Sequence, residues 1–372
     1  MEKVNVLTVG QTPPPFGGQA ISIQNILRGS YRNLRFFHVR MSFSKEMDEI
    51  GKLRLLKIFK LPAIVLKIIY MRFRHNILIL HYPPAGPDRI PMYRDLAILL
   101  STRFLFHKTI FYFNAAGISE LYKRLRPWER FLFRRAYFAP DLAVRQSDFS
   151  PPDGEFLQAK KNVVIPSAEP DRFPKFSAPR RQNRNEPVPV LLFVGVVRES
   201  KGIMDLLDAS RILRDAGLSF QTQIMGKFAS EEFSKKAREF VSMHNLGEVV
   251  QFLGVRTAGD KWQTYAKADV MVFPTFFESE SFPRVLVEAV QFELPVVATR
   301  WRGIPSIVED GKSGFLVPIN DGRALAEKIA LLLKNPSLRL DMGERGRQIY
   351  LERFTIERFW RDIEEAFLSV TD

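Results

Sequence analysis

The residues best suited to chemistry lie in the second half of the chain, in three segments that each follow or contain an apolar run. After VLLFVG come Arg198, Glu199, Ser200, Lys201 and Gly202, then a helical pattern. A lysine entering a helix N-terminus sits beside backbone N–H donors and the positive end of the helix dipole, a setting suited to a diphosphate. The plainer reading is a solvated lysine. After VMVFP comes TFFESESFPRVLVEAV, in which Glu280 and Glu288 are separated by the seven residues SFPRVLV. With a helix starting near Pro283, Glu288 falls inside it, Glu280 lies on the loop before it, and Ser281 is a candidate cap. A carboxylate accepts paired hydrogen bonds from vicinal hydroxyls, so one glutamate can hold a ribose and the other a hexose along a single ligand. The alternative is a helix-dipole glutamate plus a solvated one. The third segment, LPVVATRWRGIPSIVEDGKSGFLVPIND, is a short apolar strand followed by Gly-Ile-Pro and two further glycine turns.

The first half offers less. VNVLTVG leads into QTPPPFGGQAISIQ, where Gly17 and Gly18 at a strand-to-helix junction allow close backbone approach to a ligand. Without a third glycine this is no dinucleotide fingerprint. His81 ends the run ILILH, and Asn114 ends TIFYFN. For His81 a hydrogen-bonded structural role stands beside a catalytic one, and Asn114 cannot accept a proton as a base.

These residues need elements to hold them. Before Pro166, β-type runs alternate with helical ones: VNVLTVG, GGQAISIQNILRG, NILILHYP, PMYRDLAILLSTRF, TIFYFN and ISELYKRL, closed by DLAVRQS and NVVIPS. After Pro189 the alternation recurs from VLLFVGV to PVVAT, and six prolines between these limits mark a linker. Strands apolar on both faces, separated by amphipathic helices, predict two doubly wound parallel α/β domains. Ligands in such sheets bind beyond the carboxyl ends of the strands, which is where the three segments fall.

Composition narrows the classes. The 372 residues, 46% hydrophobic and 26% charged, are those of a folded protein of two domains. Cys is absent, which excludes disulfides, thiolate metal sites and a cysteine nucleophile. MEKVNVLTVG reads as a first strand rather than a signal peptide, so cytoplasm is the expected compartment, and no apolar stretch is long enough to span a bilayer. Of the net charge of +14, the first 180 residues carry 29 Lys and Arg against 14 Asp and Glu; the remainder carries 26 against 27. The basic half is expected to meet an anionic partner. GKLRLLKIFKLPAIVLKIIYMRFRH, with Lys52, Arg54, Lys57, Lys60, Lys67, Arg72 and Arg74, and LYKRLRPWERFLFRRAYF, with Trp128, mix cations with apolar and aromatic residues in the manner of helices at anionic membrane surfaces. A solvated helix packed by its apolar face explains the amphipathicity but not the charge.

FVGVVRESKG, ESFPRVLVEAV and LPVVATRWRGIPSIVEDGKSGFLVPIND, in this order and spacing, resemble the retaining GT-B glycosyltransferases of family 4, the glycosyl transferases group 1. The resemblance covers about the last half of the chain. It implies an α/β GT-B fold of two Rossmann-like domains facing a central cleft: residues 1–178 an acceptor-binding domain, 179–350 a nucleotide-sugar-binding domain, and 351–372 a helix crossing back to the first domain. It further implies a metal-independent hexosyl transfer from a nucleotide-diphosphate sugar to an acceptor hydroxyl, with no cofactor, in envelope or extracellular polysaccharide or glycolipid biosynthesis. By position, Lys201 matches the lysine that holds the diphosphate and Glu280 the first glutamate, which grips the hexose with the backbone at Ser281 and Phe282. Glu288 matches the second, on the ribose. Gly226, Arg256 and Lys261 fall where the base is held, and the Gly17-Gly18 pair falls against the donor phosphates. Two departures stand out. The arginine common after FVG is replaced by Val196, leaving Arg198 or Lys201 alone for the diphosphate, and the histidine common after TIFYFN is Asn114. The expected partners are a nucleotide-sugar donor, a lipid-linked or glycan acceptor and the anionic inner face of the cell membrane. Two other classes compete: a non-catalytic nucleotide-sugar-binding subunit and a nucleic-acid-binding protein, the latter leaving the paired glutamates idle and showing no recognised module.

Overall fold

The computed structural model describes residues 3–14, 17–41, 60–176 and 188–371. Lys52, Arg54 and Lys57 of the basic stretch lie outside them. By packing, the chain divides into two compact units, one comprising Met1–Ala168, Glu278–Phe282 and Ile356–Asp372, the other Glu169–Phe277 and Pro283–Thr355. Each is built on a parallel six-stranded sheet.

In the first unit β1 (Val4–Gly10) is followed by α1 (Gly18–Arg28), β2 (Leu34–Arg40), α2 (Lys60–Arg74), β3 (Ile79–Tyr82), α3 (Arg89–Thr102) and β4 (Lys108–Tyr112). Two helices, α4 (Ile118–Lys123) and α5 (Pro127–Tyr137), then lead to β5 (Leu142–Arg145), the short α6 (Asp153–Phe156) and β6 (Lys161–Val164). The strand order is β2-β1-β3-β4-β5-β6. Strand period two sends alternate residues into two cores. Leu7, Leu80, Tyr82 and Phe111 pack with Ile64, Met92 and Phe133 from α2, α3 and α5. Val6, Ile79, Ile110 and Tyr112 pack on the other face with Ile26 of α1 and with Phe359, Ile363 and Phe367, which belong to the C-terminal helix described below.

In the second unit the sheet runs β12-β11-β10-β7-β8-β9. The short helix α7 (Phe173–Phe176) precedes β7 (Val190–Val194), α8 (Ile203–Asp215), β8 (Gln221–Met225), α9 (Glu231–Met243) and β9 (Val250–Gly254). Then come α10 (Ala258–Lys267), β10 (Val270–Phe273), α11 (Arg284–Gln291), β11 (Val296–Thr299) and β12 (Gly314–Val317). Helices α12 (Gly322–Lys334) and α13 (Pro336–Arg353) complete the unit, and α14 (Ile356–Leu368) returns the chain to the first. Strands β7, β10 and β11 are buried along their whole length, as uninterrupted apolar runs require of a sheet covered on both faces. The order reverses between β7 and β10, since β8 and β9 lie to one side and β11 and β12 to the other. The connections leaving these two paired central strands thus run to opposite flanks, the arrangement that leaves a crevice at the strands' carboxyl ends.

Two strands escape the pattern reading. β2 is an edge strand, interrupted by Arg35, His38 and Arg40, and β12 lies inside what reads as glycine turns. Gly314 is there because a Cβ would lie 2.0 Å from the Val296 carbonyl oxygen, so only glycine lets β12 approach β11. Among the described residues no helix is long and apolar enough to cross a membrane.

Candidate active site

The loop after β7 is shaped by glycines. Gly195 donates its N–H to the Met225 carbonyl at 3.0 Å, and Gly226 donates to Gly254 at 2.9 Å. Gly226 has φ +154°, and a Cβ there would fall 1.7 Å from the Gly195 carbonyl oxygen. Its glycine is therefore demanded by the approach of the two strand ends. Val197 is buried and bridges Phe228, which tethers the loop from below and turns Arg198 outward. Glu199–Lys201 form one 3-10 turn, and Gly202, at φ +70°, caps the start of α8. A Cβ on Gly202 would sit 2.0 Å from the Pro274 carbonyl oxygen, so the turn after β7 lies directly against the end of β10. The Phe276 N–H donates to the Ser200 carbonyl at 2.9 Å and closes the junction.

On this frame two cations converge on one ring. The Arg198 guanidinium and the Lys201 ammonium each lie 4.9 Å from the centroid of Phe277, and Lys201 is also 5.3 Å from Phe273. The loop carrying Phe277 is held by the Trp301 indole N–H, which donates to the Phe277 carbonyl at 2.9 Å. A ring face attracts cations by its quadrupole, at about 0.5–1 kcal/mol each when exposed, and so offsets part of the repulsion between them. The result is a paired positive charge beside the N-terminus of a thirteen-residue helix, an arrangement electrostatically suited to a polyanion.

Glu288 sits on α11 with its side chain 6% exposed. One carboxylate oxygen accepts from the Lys261 ammonium at 2.5 Å, the other from the Tyr265 hydroxyl at 2.7 Å. Lys261 and Tyr265 are one turn apart on α10, and burial together with Glu288 pushes the Tyr265 hydroxyl far above its ordinary range. Nearby, Glu169 and Arg284 form a buried ion pair; burial raises the Glu169 carboxyl, Arg284 opposes that, and the Glu288 charge adds to it. The sequence reading assigned Lys261 to the base and Glu288 to the ribose; the structure joins the two side chains as an ion pair. Each Glu288 oxygen keeps a second lone pair, so the pairing leaves acceptor capacity for hydroxyls.

The other sequence candidates are distributed as follows. Glu280, Ser281 and Phe282 pack with the first unit. Ser281 is not a helix cap: the N-cap of α11 is Pro283, while Ser281 is buried and its carbonyl accepts from the Ser150 hydroxyl at 3.2 Å. Phe282 is buried, and Arg256 is exposed on the loop after β9. Gly17 is the N-cap of α1, Gly18 its first residue, with open space where a Cβ would stand. The Asn114 amide oxygen accepts from Gln146 at 3.0 Å. His81 is fully buried in β3, its Nδ1 3.1 Å from the Thr8 hydroxyl and its ring edge-on to Phe367. It belongs to the core, and the structural alternative describes its surroundings. Sequence reasoning missed Phe277, Tyr265 and Trp301. Two adjacent phenylalanines in a polar loop at a strand end, and a tyrosine four residues after a lysine, were the available signals.

Two Rossmann-like units in the GT-B arrangement of elements define the class of the molecule. Solved structures agree in fold. Sucrose-phosphate synthase from Thermosynechococcus elongatus superposes with a TM-score of 0.75 over 99% of both chains at 17% identity. Anabaena HepE in complex with UDP and glucose superposes at 0.74 over 98% of this chain and 99% of its own, also at 17% identity. Residues 175–349 match the family model of glycosyl transferases group 1. Among curated relatives, WcaL of Escherichia coli K12, named for colanic acid biosynthesis, is 28% identical over 69% of this chain and 61% of its own. The capsular polysaccharide biosynthesis glycosyltransferase CapM of Staphylococcus aureus is 29% identical over 48% of this chain and 45% of its own. The chain thus matches about half to three-fifths of the length of these relatives.

Proposed function

We propose that the protein is a retaining, metal-independent glycosyltransferase that moves a hexose from a nucleotide-diphosphate sugar to a hydroxyl of a lipid-linked or envelope glycan, at the cytoplasmic face of the membrane, in polysaccharide biosynthesis. The observation that carries this reading is the pair Arg198 and Lys201 gathered over Phe277 at the switch point of the second sheet. The names of the relatives support the polysaccharide setting. In this proposal the second unit holds the donor's diphosphate and nucleoside, and the basic first unit receives the acceptor.

The chemical difficulty is the charge that develops on the leaving diphosphate. Arg198, Lys201 and the N–H groups at the start of α8 stabilise that charge, taking the part a divalent ion has in other sugar transferases; preorganised donors of this kind contribute several kcal/mol. Glu288 accepts the ribose hydroxyls on its remaining lone pairs, and Glu280 grips the hexose. The bond from the anomeric carbon to the phosphate oxygen breaks as the bond to the acceptor oxygen forms on the same face. The acceptor proton passes to the departing phosphate oxygen, so no protein base is required, in keeping with Asn114 and with the burial of His81.

The test is calorimetric titration with UDP-, GDP- and ADP-sugars in the presence of a chelator, repeated on Lys201→Ala and Glu280→Ala. One donor is expected to bind, and Lys201→Ala to weaken it about ten- to a hundredfold, the worth of a charge-assisted contact of about 1.5–3 kcal/mol. With a glycan acceptor, NMR of the product is expected to show the donor's anomeric configuration. Binding of no nucleotide sugar, or turnover only after a divalent ion is restored, sinks the reading.

A further inference from the structure

We propose that one face of the first unit, formed by α2, the 3-10 turn Arg103–Leu105 and α5, docks on an anionic lipid bilayer. The starting observation is that α2 is apolar on two opposite sides. Ile64 and Ile68 point into the sheet and are buried, while Leu66, Tyr70 and Phe73, spaced to share one helix face, point away from it and are more than three-fifths exposed. An apolar stripe on a helix is ordinarily covered. Lys60, Lys67 and Arg74 are exposed along the border of the outer stripe.

Neighbouring elements extend the same surface. The Arg72 Nε donates to the Leu105 carbonyl at 2.8 Å, tying the end of α2 to the turn that bears Phe104, which is 75% exposed. On α5, Trp128 and Phe131 are half or more exposed; the Arg135 guanidinium lies 4.9 Å from the Phe131 ring, and Trp128 stacks on the exposed Tyr93 of α3 at 6.2 Å. Helix α3 packs against both α2 and α5, so these side chains belong to one layer.

Charge selects the occupant. Residues 60–76, 88–107 and 123–139 contain thirteen Lys and Arg and three acids. Two of those acids are withdrawn, and one cation with them: Asp95 is buried against Tyr82, Tyr137 and its ion-pair partner Arg94, and Glu129 is buried against Tyr93, which leaves twelve cations. Only Asp88 remains exposed there. Protruding aromatic and aliphatic side chains within a cationic border match the headgroup region of an anionic bilayer, where Trp and Tyr settle at the interface and each cation adds attraction. Aromatic residues and Arg also serve protein interfaces, so the bilayer is chosen on the excess of cations over exposed acids spread across the whole face rather than on the aromatics.

The inference deepens the proposed function, resting on its lipid-linked acceptor for its purpose; the surface itself is argued from exposure and charge. The test is flotation of the full chain with phosphatidylcholine vesicles with or without phosphatidylglycerol, at low and high salt. Flotation is expected with the anionic vesicles only and is expected to weaken with salt. The triple variant Leu66→Glu, Phe104→Glu, Phe131→Glu, all at exposed positions, is expected to lower the bound fraction about tenfold. Brominated lipid is expected to quench the wild-type fluorescence and to quench Trp128→Phe much less. No flotation, equal flotation of the triple variant, or unchanged quenching in Trp128→Phe overturns the proposal. So does retention by an acidic polypeptide with no vesicle binding, which would indicate a protein partner instead. Nucleotide-sugar titration on the same samples separates the two readings: donor binding without flotation removes only the docking, and flotation without donor binding removes only the sugar transfer.

Discussion

Phe277 is the residue on which the proposed donor site turns, because two like charges share its ring. Replacing it by leucine keeps the bulk and removes the quadrupole that aligns them. At about 0.5–1 kcal/mol per cation, Phe277→Leu is expected to weaken nucleotide-sugar binding roughly five- to thirtyfold, while Phe277→Tyr keeps it. Calorimetry on both variants checks this; equal loss in the two would make the ring a spacer. His81 supplies a second prediction of a different kind. Burial pushes its imidazole down from 6.5 to about 3, so the folded protein holds it neutral while the unfolded chain binds a proton below 6.5. Its contribution to stability is complete above 6.5 and is lost as pH falls from there toward 3, by up to about 1.4 kcal/mol per pH unit. Urea midpoints at neutral pH and about two units lower are expected to diverge more for wild type than for His81→Leu, and parallel losses would clear His81 of that role. What was legible is placement: Lys201 in the turn after β7, Gly226 at the end of β8 and Glu288 in the helix after β10 follow from the run of strands and helices along the chain. Phe277 and Tyr265 were not, because an aromatic ring under a cation and a hydroxyl on a carboxylate are relations between elements that no local pattern encodes.

At the scale of elements, legibility follows burial. The central strands β7, β10 and β11 are apolar throughout and stood out as runs, while β2, on an edge and studded with arginine, had nothing to mark it. β12 was hidden by its glycine, which reads as a turn until the Val296 carbonyl beneath it is seen. The same logic makes Gly202 the hinge pin of the junction between β7 and β10. An alanine there must adopt φ +70° and also displace the Pro274 carbonyl. Gly202→Ala is therefore expected to cost about 2–4 kcal/mol, the sum of left-handed strain and a backbone clash. Because the shift falls on the turn bearing Arg198 and Lys201, donor affinity is expected to fall with it. Urea unfolding with an unchanged slope alongside titration would check both, and an alanine variant of wild-type stability would mean that the two strand ends are not packed as described.

At the scale of the whole chain, the first unit is assembled from segments far apart in sequence. Its sheet is covered on one face by α2, α3 and α5 and on the other by α1 together with α14. The last helix contributes Ile356, Phe359, Ile363 and Phe367 to that second core, and its Glu364 accepts from the Asn33 N–H at 2.5 Å while Trp360 donates to the Asn25 carbonyl at 2.9 Å. Four large apolar side chains at about 1.5–3 kcal/mol each amount to roughly 6–12 kcal/mol, as much as the entire stability of an ordinary domain. Helix α14 is thus a structural member of the first unit rather than an appendage, even though the chain reaches it only after completing the second. A chain ending at Thr355 is expected to lose the protease resistance of residues 3–168 while 188–355 stays protected. Limited proteolysis with mass spectrometry of the fragments reads this directly. The second unit serves as the internal control, since its sheet draws no strand and no helix from beyond Thr355. Equal survival of both units would show that α1 alone can cover the exposed face, and the first core would have to be redrawn without the C-terminal helix.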